Sequence, residues 1–163
     1  MPKISIDDVK PLPITATRAI PRDWLDDMGH MNVMWYTHLF SNATVGLFEL
    51  FGMTRDYFIS QQAGSFALEA HVRYLAEVHA GQSVTLRSRL LGRSAKRFHF
   101  MHFLVIDDGG VLSSTGEMMG THVDLRIRRT SPFPPEIAAQ YDAILAEHQA
   151  LPWDAPLCGV MSA

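Results

Sequence analysis

The apolar segment over residues 34–51 constrains the fold of this chain more than any other part of its sequence. Apolar residues recur in it at spacings of three and four, which indicates an α-helix, and Gly52 follows at the position of a helix-ending C′ glycine. The apolar positions cover much of the helix circumference, and a helix of this kind is usually buried. The remaining segments are therefore expected to wrap around it.

Strand-like runs that can cover the helix follow Gly64. Turn residues separate them, and the run at 107–110 is a strong hairpin signal. Before the helix, a short extended stretch interrupted by Pro21 suits an edge strand, and a polar amphipathic helix is expected over about 135–148. A short strand, a long helix and then at least four antiparallel strands predict an α+β fold rather than an α/β fold. The predicted strands cover residues 65–78, 82–93, 97–106 and 111–129.

The composition limits what such a fold can do. A chain of 163 residues fits one domain, and we expect a single domain over residues 1–163, compact over about 15–140, with a Pro-rich C-terminal tail. The net charge of -3 argues against nucleic-acid binding. No apolar run approaches the roughly 18 residues of a membrane span, and the N-terminus lacks the apolar core of a signal peptide. With a single cysteine, Cys158, these features predict a cytoplasmic protein that does not bind membranes.

A polar motif directly precedes the predicted helix. In WLDDMGHMNVMWY, residues 24–36, two aspartates, a glycine, a histidine and an asparagine lead into the helical pattern. Asn32 is a good N-cap for a helix that begins near Val33, and the free N–H groups of that helix end can hold a developing negative charge. Asp26 stands just ahead of them. The motif is either a capped loop or a reactive carboxylate beside an oxyanion site.

This motif resembles that of the 4-hydroxybenzoyl-CoA thioesterase-like family of hotdog-fold acyl-CoA thioesterases, which reads roughly Asp-x-x-Gly-His-Val-Asn-Asn-x-x-Tyr. Two positions depart from it, because Met31 replaces the Val and Val33 replaces the second Asn. The resemblance extends at pattern level over about residues 15–140. Within the family, the chain resembles the branch that hydrolyses betainyl-CoA in carnitine breakdown. The matching motif residues are Asp26, Gly29, His30, Asn32 and Tyr36.

The resemblance implies roles for these residues. Hydrolysis of a thioester needs a carboxylate that attacks or activates water and donors for the oxyanion, whereas a thiol with a pKa near about 8.5 leaves readily. By resemblance, Asp26 supplies the carboxylate and the backbone N–H of Tyr36 is an oxyanion donor. His30 either orients Asp26 or is a hydrogen-bonded scaffold residue. Asn32 either contacts the substrate or serves only as the helix cap.

Aromatic and acidic residues elsewhere are candidates for binding the acyl group. Trp24 and Trp35, together with Tyr57, can hold a trimethylammonium group by cation–π attraction, although aromatic residues at these spacings are also typical of a core. Glu69, early in a predicted strand, can face the site from a partner subunit or serve as an alternative acid.

A basic turn is the candidate site for the other end of the substrate. Arg93, Lys96 and Arg97 either bind the phosphates of CoA or form a solvated hairpin tip. His99 and His102 are three apart on a predicted strand, which sends them to opposite faces, so they do not form a metal pair. Neither a metal nor a cofactor is expected.

Together these observations predict an acyl-CoA thioesterase that converts a CoA thioester to a free acid and CoA. Two alternatives on the same fold stay open, an enoyl-CoA hydratase or dehydratase and a non-catalytic acyl-CoA-binding domain. The resemblance also implies that two copies pair their sheets and build the pocket between them. A homodimer or homotetramer is therefore expected.

Overall fold

The computed structural model describes residues 4–163, which form one antiparallel sheet and four helices; the first three residues of the expected N-terminal segment lie outside this range. Two short 3-10 helices, Arg22–Trp24 and Asp108–Gly110, connect longer elements. The helices are α1 (Ile6–Val9), α2 (Val33–Glu49), α3 (Arg55–Gln61) and α4 (Pro135–Gln149). The strands are β1 (Ile14–Ala19), β2 (Ala63–Tyr74), β3 (Ser83–Arg93), β4 (Arg97–Ile106), β5 (Val111–Asp124) and β6 (Arg129–Thr130).

Helix α2 packs on the inner face of the sheet, as its apolar spacing predicts. Its buried Leu39, Phe40 and Ala43 share one cluster with Leu86 of β3 and Leu104 of β4. Burial of side chains of this size contributes about 1.5–3 kcal/mol each, so the helix and the sheet stabilise each other. The expected α+β hotdog fold is confirmed.

The sheet covers only one side of α2, so the expectation of a helix buried all round is met only in part. A single curved sheet can enclose half of a helix, and the opposite half of α2 faces outwards. The exposed apolar residues of this half, each with 58–59% of its surface accessible, are Val33, Met34 and Val45.

The strand order is β1-β3-β4-β5-β2, with β6 paired to β5. The predicted hairpin joins β4 to β5, and both Gly109 and Gly110 have the positive φ that its turn requires. The predicted first strand is an edge strand, but it lies earlier than expected. Strand β1 ends at Ala19. Pro21 has no N–H to donate to a neighbouring strand, and it caps the first 3-10 helix, which begins at Arg22.

Strand β2 is the other edge of the sheet. Within residues 4–163 it pairs only with β5, so the backbone groups along its second edge have no strand beside them. A β-bulge interrupts the register between Ala67 and Glu69, and the neighbouring Phe66 and Leu68 are 38% and 46% exposed. A long exposed edge with apolar side chains is a surface for pairing with another strand.

Both ends of the chain pack on the outer face of the sheet, so the packed part extends beyond the expected 15–140. Val9 and Leu12 share a buried cluster with Met101 and Phe103 of β4, and the ring of Trp153 packs against Phe103. The outward-facing side of β4 is as apolar as its inner side, and the two chain ends remove it from water.

A buried polar chain joins α2 to three strands. His102 of β4 contacts Thr44 of α2 through Nε2 at 2.9 Å and Ser88 of β3 through Nδ1 at 2.6 Å, and Ser88 in turn contacts Thr15 of β1. Since the Thr44 hydroxyl donates to the Phe40 carbonyl, it accepts from His102, which fixes the tautomer. Burial lowers the pKa of His102 to about 3, so the ring is neutral.

At Gly46, α2 lies so close to β1 that a side chain added there is expected to destabilise the fold. A Cβ at this position would lie 2.1 Å from the backbone oxygen of Thr15. We expect Gly46→Ala to lower the free energy of unfolding by about 3 kcal/mol or more, measured by urea unfolding. Gly92→Ala, whose Cβ would meet no atom within 4 Å, is the control and should stay within about 1 kcal/mol of wild type. Equal unfolding midpoints for the two variants would contradict this packing.

Candidate active site

A tight loop holds Asp26 just before α2. The Asp26 N–H donates to the His30 carbonyl and the Gly29 N–H donates to the Asp26 carbonyl, each at 3.0 Å, while Gly29 adopts a φ of 85°. One carboxylate oxygen of Asp26, Oδ1, accepts from the Met28 N–H at 2.9 Å. The carboxylate is therefore oriented by its own loop and not by a distant partner.

The second carboxylate oxygen of Asp26 faces His30. Its Oδ2 lies 3.5 Å from His30 Nδ1, too far for a strong hydrogen bond and close enough for the ring to orient the acid. The two side chains keep 21% and 25% of their surface exposed, so a substrate can reach them. Two residues outside the loop also hold it in place. The Met31 N–H donates to the Val78 carbonyl, and Nδ1 of His79 contacts the Gly29 carbonyl.

Asn32 is the N-cap of α2, as predicted. Its side-chain oxygen accepts from the Met34 N–H at 3.0 Å. The Asn32 carbonyl, which is the i−4 acceptor for Tyr36 in an ideal helix, accepts from Trp35 at 2.9 Å. The first turn of α2 is thus tightened at Trp35. The Tyr36 ring is buried in the core and packs edge-on against Tyr74.

A large apolar cavity lies along the outward side of α2. Its volume is about 840 Å³, and its walls come from α2, α3, β2 and the inner side of β4 and β5. Thr37, one turn into α2, and Glu69 of β2 also line the cavity. Asp26 does not line the cavity in a single copy of the chain. Its apolar walls are Val45, Phe48, Met53, Phe58, Ile59, Phe66, Ala67, Ala70, Val72, Phe98, Phe100, Met118 and Met119.

This arrangement of loop, helix and sheet matches a known family. The family model described as the thioesterase-like superfamily matches residues 20–141, which include the Asp26 loop, α2 and all of the long strands. The chain belongs to this superfamily. The expected class, a thioester hydrolase with a hotdog fold, is therefore confirmed.

Two curated relatives have betainyl-CoA thioesterase in their names. A betainyl-CoA thioesterase of Pseudomonas aeruginosa is 35% identical over 130 residues, which are 80% of this chain and 82% of that protein. An L-carnitine dehydrogenase/betainyl-CoA thioesterase of Ruegeria pomeroyi is 35% identical over 150 residues. That match covers 92% of this chain, but the chain spans only 30% of the length of the Ruegeria protein.

A solved structure supports the fold independently. A hypothetical protein of Staphylococcus aureus, determined in complex with CoA, superposes with a TM-score of 0.81 at 23% identity. The alignment covers 93% of this chain and 96% of the other. At this identity the similarity shows a shared fold and no more.

The thioesterase site differs from the sequence-based expectation at the tryptophans. Trp24 is only 5% exposed and stacks on Trp35 with ring centroids 4.1 Å apart, so its ring belongs to the core and is closed to an acyl group. Trp35 is partly exposed, and His38 packs edge-on against both rings. Tyr57 packs with a different cluster, so the three aromatic residues do not form one lining.

The three cations of the basic turn differ in their surroundings. Arg93 donates to both carboxylate oxygens of Asp142 in α4, at 2.6 and 2.5 Å, and this pairing holds the pKa of Asp142 below its usual range. Arg93 therefore ties the turn to α4. Lys96 and Arg97 are exposed at the same turn. Within residues 4–163 neither side chain forms an ion pair.

Sequence reasoning missed helix α3, which forms one wall of the cavity. Thr54 caps it by accepting from the Tyr57 N–H at 3.2 Å, and this threonine was the available signal. The Tyr57 hydroxyl contacts His122 Nε2 at 2.7 Å, while His122 Nδ1 donates to Ser131. Burial lowers the pKa of His122, so its neutral ring accepts from Tyr57 and anchors α3 to β5.

Other sequence-based expectations concern metals and membranes. His99 and His102 do lie on opposite faces of β4, where they contact Glu117 and Thr44 respectively. Residues 4–163 contain no grouping of three or more His, Cys, Asp or Glu residues suited to a metal ion. Over the same residues, none of the helices combines the length and hydropathy needed to span a bilayer.

Proposed function

We propose that this chain hydrolyses betainyl-CoA to betaine and CoA. The observation that carries the proposal is the partly exposed Asp26 carboxylate, oriented by Met28 and faced by His30 at the start of α2. The betainyl group is supported by the names of the Pseudomonas and Ruegeria relatives. The name of the Ruegeria relative, which combines L-carnitine dehydrogenase with betainyl-CoA thioesterase, supports a place in carnitine metabolism.

The proposed mechanism uses the two oxygens of Asp26 differently. Met28 holds Oδ1, and Oδ2 takes a proton from water, or attacks the thioester carbon directly, in a step oriented by His30. The oxyanion is stabilised by the N–H groups at the start of α2, that of Tyr36 among them. In the first route the hydroxide adds to the thioester carbon, the C–S bond breaks, and the CoA thiolate takes the proton from Asp26. In the second route Asp26 displaces the thiolate to form an anhydride, and water then cleaves this anhydride to the free acid and the Asp26 carboxylate, with a proton from that water going to the thiolate. Asn32 contributes by holding the helix end in place.

A second copy of the chain completes the site in this proposal. The Asp26 loop and the cavity do not merge within one chain, although both adjoin α2. Residues of β2 and the exposed Val45 of α2 line the cavity, so the free strand edge and the exposed helix half both adjoin it. Pairing of two β2 strands covers both surfaces and brings the Asp26 loop of one copy to the cavity of the other. We propose a homodimer, with a tetramer as its further assembly.

The CoA nucleotide is proposed to lie against a basic rim formed by two turns. Lys96 precedes β4 and Arg97 begins it, and the backbone carbonyl of Lys96 accepts from the His122 N–H at 2.8 Å, which places the turn beside β5. Arg128, in the turn after β5, lies with its guanidinium 5.8 Å from the ring centre of Phe66, a cavity residue. In this proposal the phosphates of a bound thioester lie beside these cations, because Phe66, next to Arg128, and Phe98, next to Arg97 in the chain, both line the cavity.

Substitution of Asp26 tests the mechanism. We expect Asp26→Asn to lower kcat for betainyl-CoA by at least about 100-fold, because the amide neither attacks nor accepts a proton from water. Free-thiol release measures the rate. Asp27→Asn is the control, since Asp27 is exposed and should leave the rate near that of wild type. Turnover of Asp26→Asn close to wild type would exclude Asp26 as the catalytic acid.

Substrates with and without the nucleotide test the basic rim. The double variant Lys96→Ala, Arg97→Ala should raise KM for betainyl-CoA with little change in kcat, because the phosphates are bound equally in ground and transition states. The same acyl group on pantetheine lacks those phosphates and should show no change in KM. A similar rise for both substrates, or none for betainyl-CoA, would place the nucleotide elsewhere.

Light scattering tests the assembly. We expect a mass of at least twice the 18.3 kDa of one chain. Leu68→Lys puts a charge on the β2 edge and should give monomers that have lost activity. Leu157→Lys is the matched control, because Leu157 is also 46% exposed but lies in the C-terminal tail. A wild-type protein that is monomeric and active would refute the shared site.

A further inference from the structure

We infer that His79, in the turn between β2 and β3, is a positioning residue that holds the tip of the Asp26 loop, residues 26–30, at the start of α2. Nδ1 of its ring lies 3.2 Å from the Gly29 carbonyl oxygen. This inference rests on the proposed role of Asp26 in thioester hydrolysis. It gives His79 no contact with the substrate and no part in proton transfer.

The hydrogen bonds inside the loop tip fix its shape but not its place. The Asp26 N–H donates to the His30 carbonyl, and the Gly29 N–H donates to the Asp26 carbonyl. The Met28 N–H donates to the Asp26 carboxylate. All of these groups belong to the tip, so the tip can move as a unit without breaking any of the bonds. A contact from outside is needed to keep the Asp26 carboxylate at one position relative to α2.

The base of the loop is anchored on both sides. Leu25 pairs with Met31 in a short antiparallel bridge. The Asn32 N–H donates to the Trp24 carbonyl at 2.9 Å, and the Met31 N–H donates to the Val78 carbonyl at 2.7 Å. Trp24 and Met31 are themselves buried in the core. The base therefore stays in place, and any movement of the loop is concentrated in its tip.

Packing does not hold the tip. Met28 is 78% exposed, and Asp27 and Gly29 are exposed as well. A Cβ added at Gly29 would meet no atom within 4 Å beyond its chain neighbours. Within residues 4–163, the contact from His79 is the only hydrogen bond that reaches residues 26–30 from outside the loop. The position of the tip therefore depends on this one side chain.

The turn that carries His79 is a fixed support. The His79 N–H donates to Gln82 Oε1 at 2.8 Å. The Ile20 N–H donates to the Gln82 carbonyl and the Gly81 N–H donates to the Ile20 carbonyl, each at 2.8 Å. Val78, beside His79, is fully buried. Because a carbonyl oxygen can only accept, the ring donates to the loop tip from a protonated Nδ1.

Loss of this donor would allow the tip to leave the geometry that the chemical step needs. A displacement of about 1 Å in an active site can lower a rate by about 100-fold. In the proposed mechanism Asp26 acts in the chemical step and does not bind the CoA part of the substrate. Loss of the contact is therefore expected to lower kcat and to leave KM nearly unchanged.

Two substitutions of His79 test the inference. In asparagine the amide nitrogen takes the place of Nδ1, so His79→Asn keeps the donor, whereas His79→Ala removes it. We expect His79→Ala to lower kcat for betainyl-CoA by about fivefold or more, with KM within about twofold of wild type, and His79→Asn to recover most of that loss. Free-thiol release measures the rates.

Glu77→Gln is the control for these substitutions. Glu77 lies in the same turn, and its carboxylate is 3.8 Å from the other ring nitrogen of His79, Nε2. This substitution changes the surroundings of the ring but leaves the Nδ1 donor in place. It should therefore keep the wild-type kcat.

Amide hydrogen exchange gives a readout that does not depend on turnover. Peptides covering residues 26–31 should exchange faster in His79→Ala than in wild type, and His79→Asn should exchange as wild type does. The urea unfolding midpoints of the three proteins should agree, because an exposed contact of this kind adds little to global stability.

Each other outcome overturns a defined part. An unchanged kcat or unchanged exchange in His79→Ala refutes the inference, and the proposed function stands if Asp26→Asn is inactive in the same assay. A rise in KM alone identifies His79 as a substrate ligand, and equal loss in His79→Ala and His79→Asn shows that the donor is not what matters. A lower unfolding midpoint in His79→Ala identifies a scaffold role, and each of these three results also refutes the inference. Absence of thiol release from wild type refutes the proposed function and the inference with it.

Discussion

The packing of α2 against the inner face of the sheet is the contact on which the other features of this structure depend. Gly46 allows the helix backbone to touch that of β1 at Thr15, and the buried chain through His102 fixes the same helix to β3 and β4. These contacts fix the distance between α2 and the sheet, and the N-terminus of α2 therefore lies beside the Asp26 loop. Its opposite half remains free to line a cavity.

The parts of this arrangement that could be predicted are those encoded by local sequence. The spacing of apolar residues predicts α2, the glycines at 109 and 110 predict the β4–β5 hairpin, and Asn32 predicts the helix start. Each of these sequence signals involves residues that are close together in the chain. The motif around Asp26 was recognisable for the same reason, since its geometry is set by hydrogen bonds within five consecutive residues.

The parts that could not be predicted depend on contacts between distant segments. The pairing of Arg93 with Asp142 joins residues 49 apart, and a basic turn alone does not reveal which of its cations is already paired. Burial of Trp24 depends on α2 bringing Trp35 onto it. The Pro-rich composition of both ends predicts that they lie outside the compact part. They pack because β4 is apolar on both faces and its outer face needs cover.

Asp26 does not line the cavity of its own chain, so the proposed reactive carboxylate and the proposed acyl site belong to different elements of the fold. The loop supplies a carboxylate whose orientation depends on Met28 and His30, and none of the cavity walls contributes to it. The cavity is built mainly from side chains of β2, β4 and β5 that have no role in the chemistry. A substitution there changes which acyl group is held without disturbing the carboxylate.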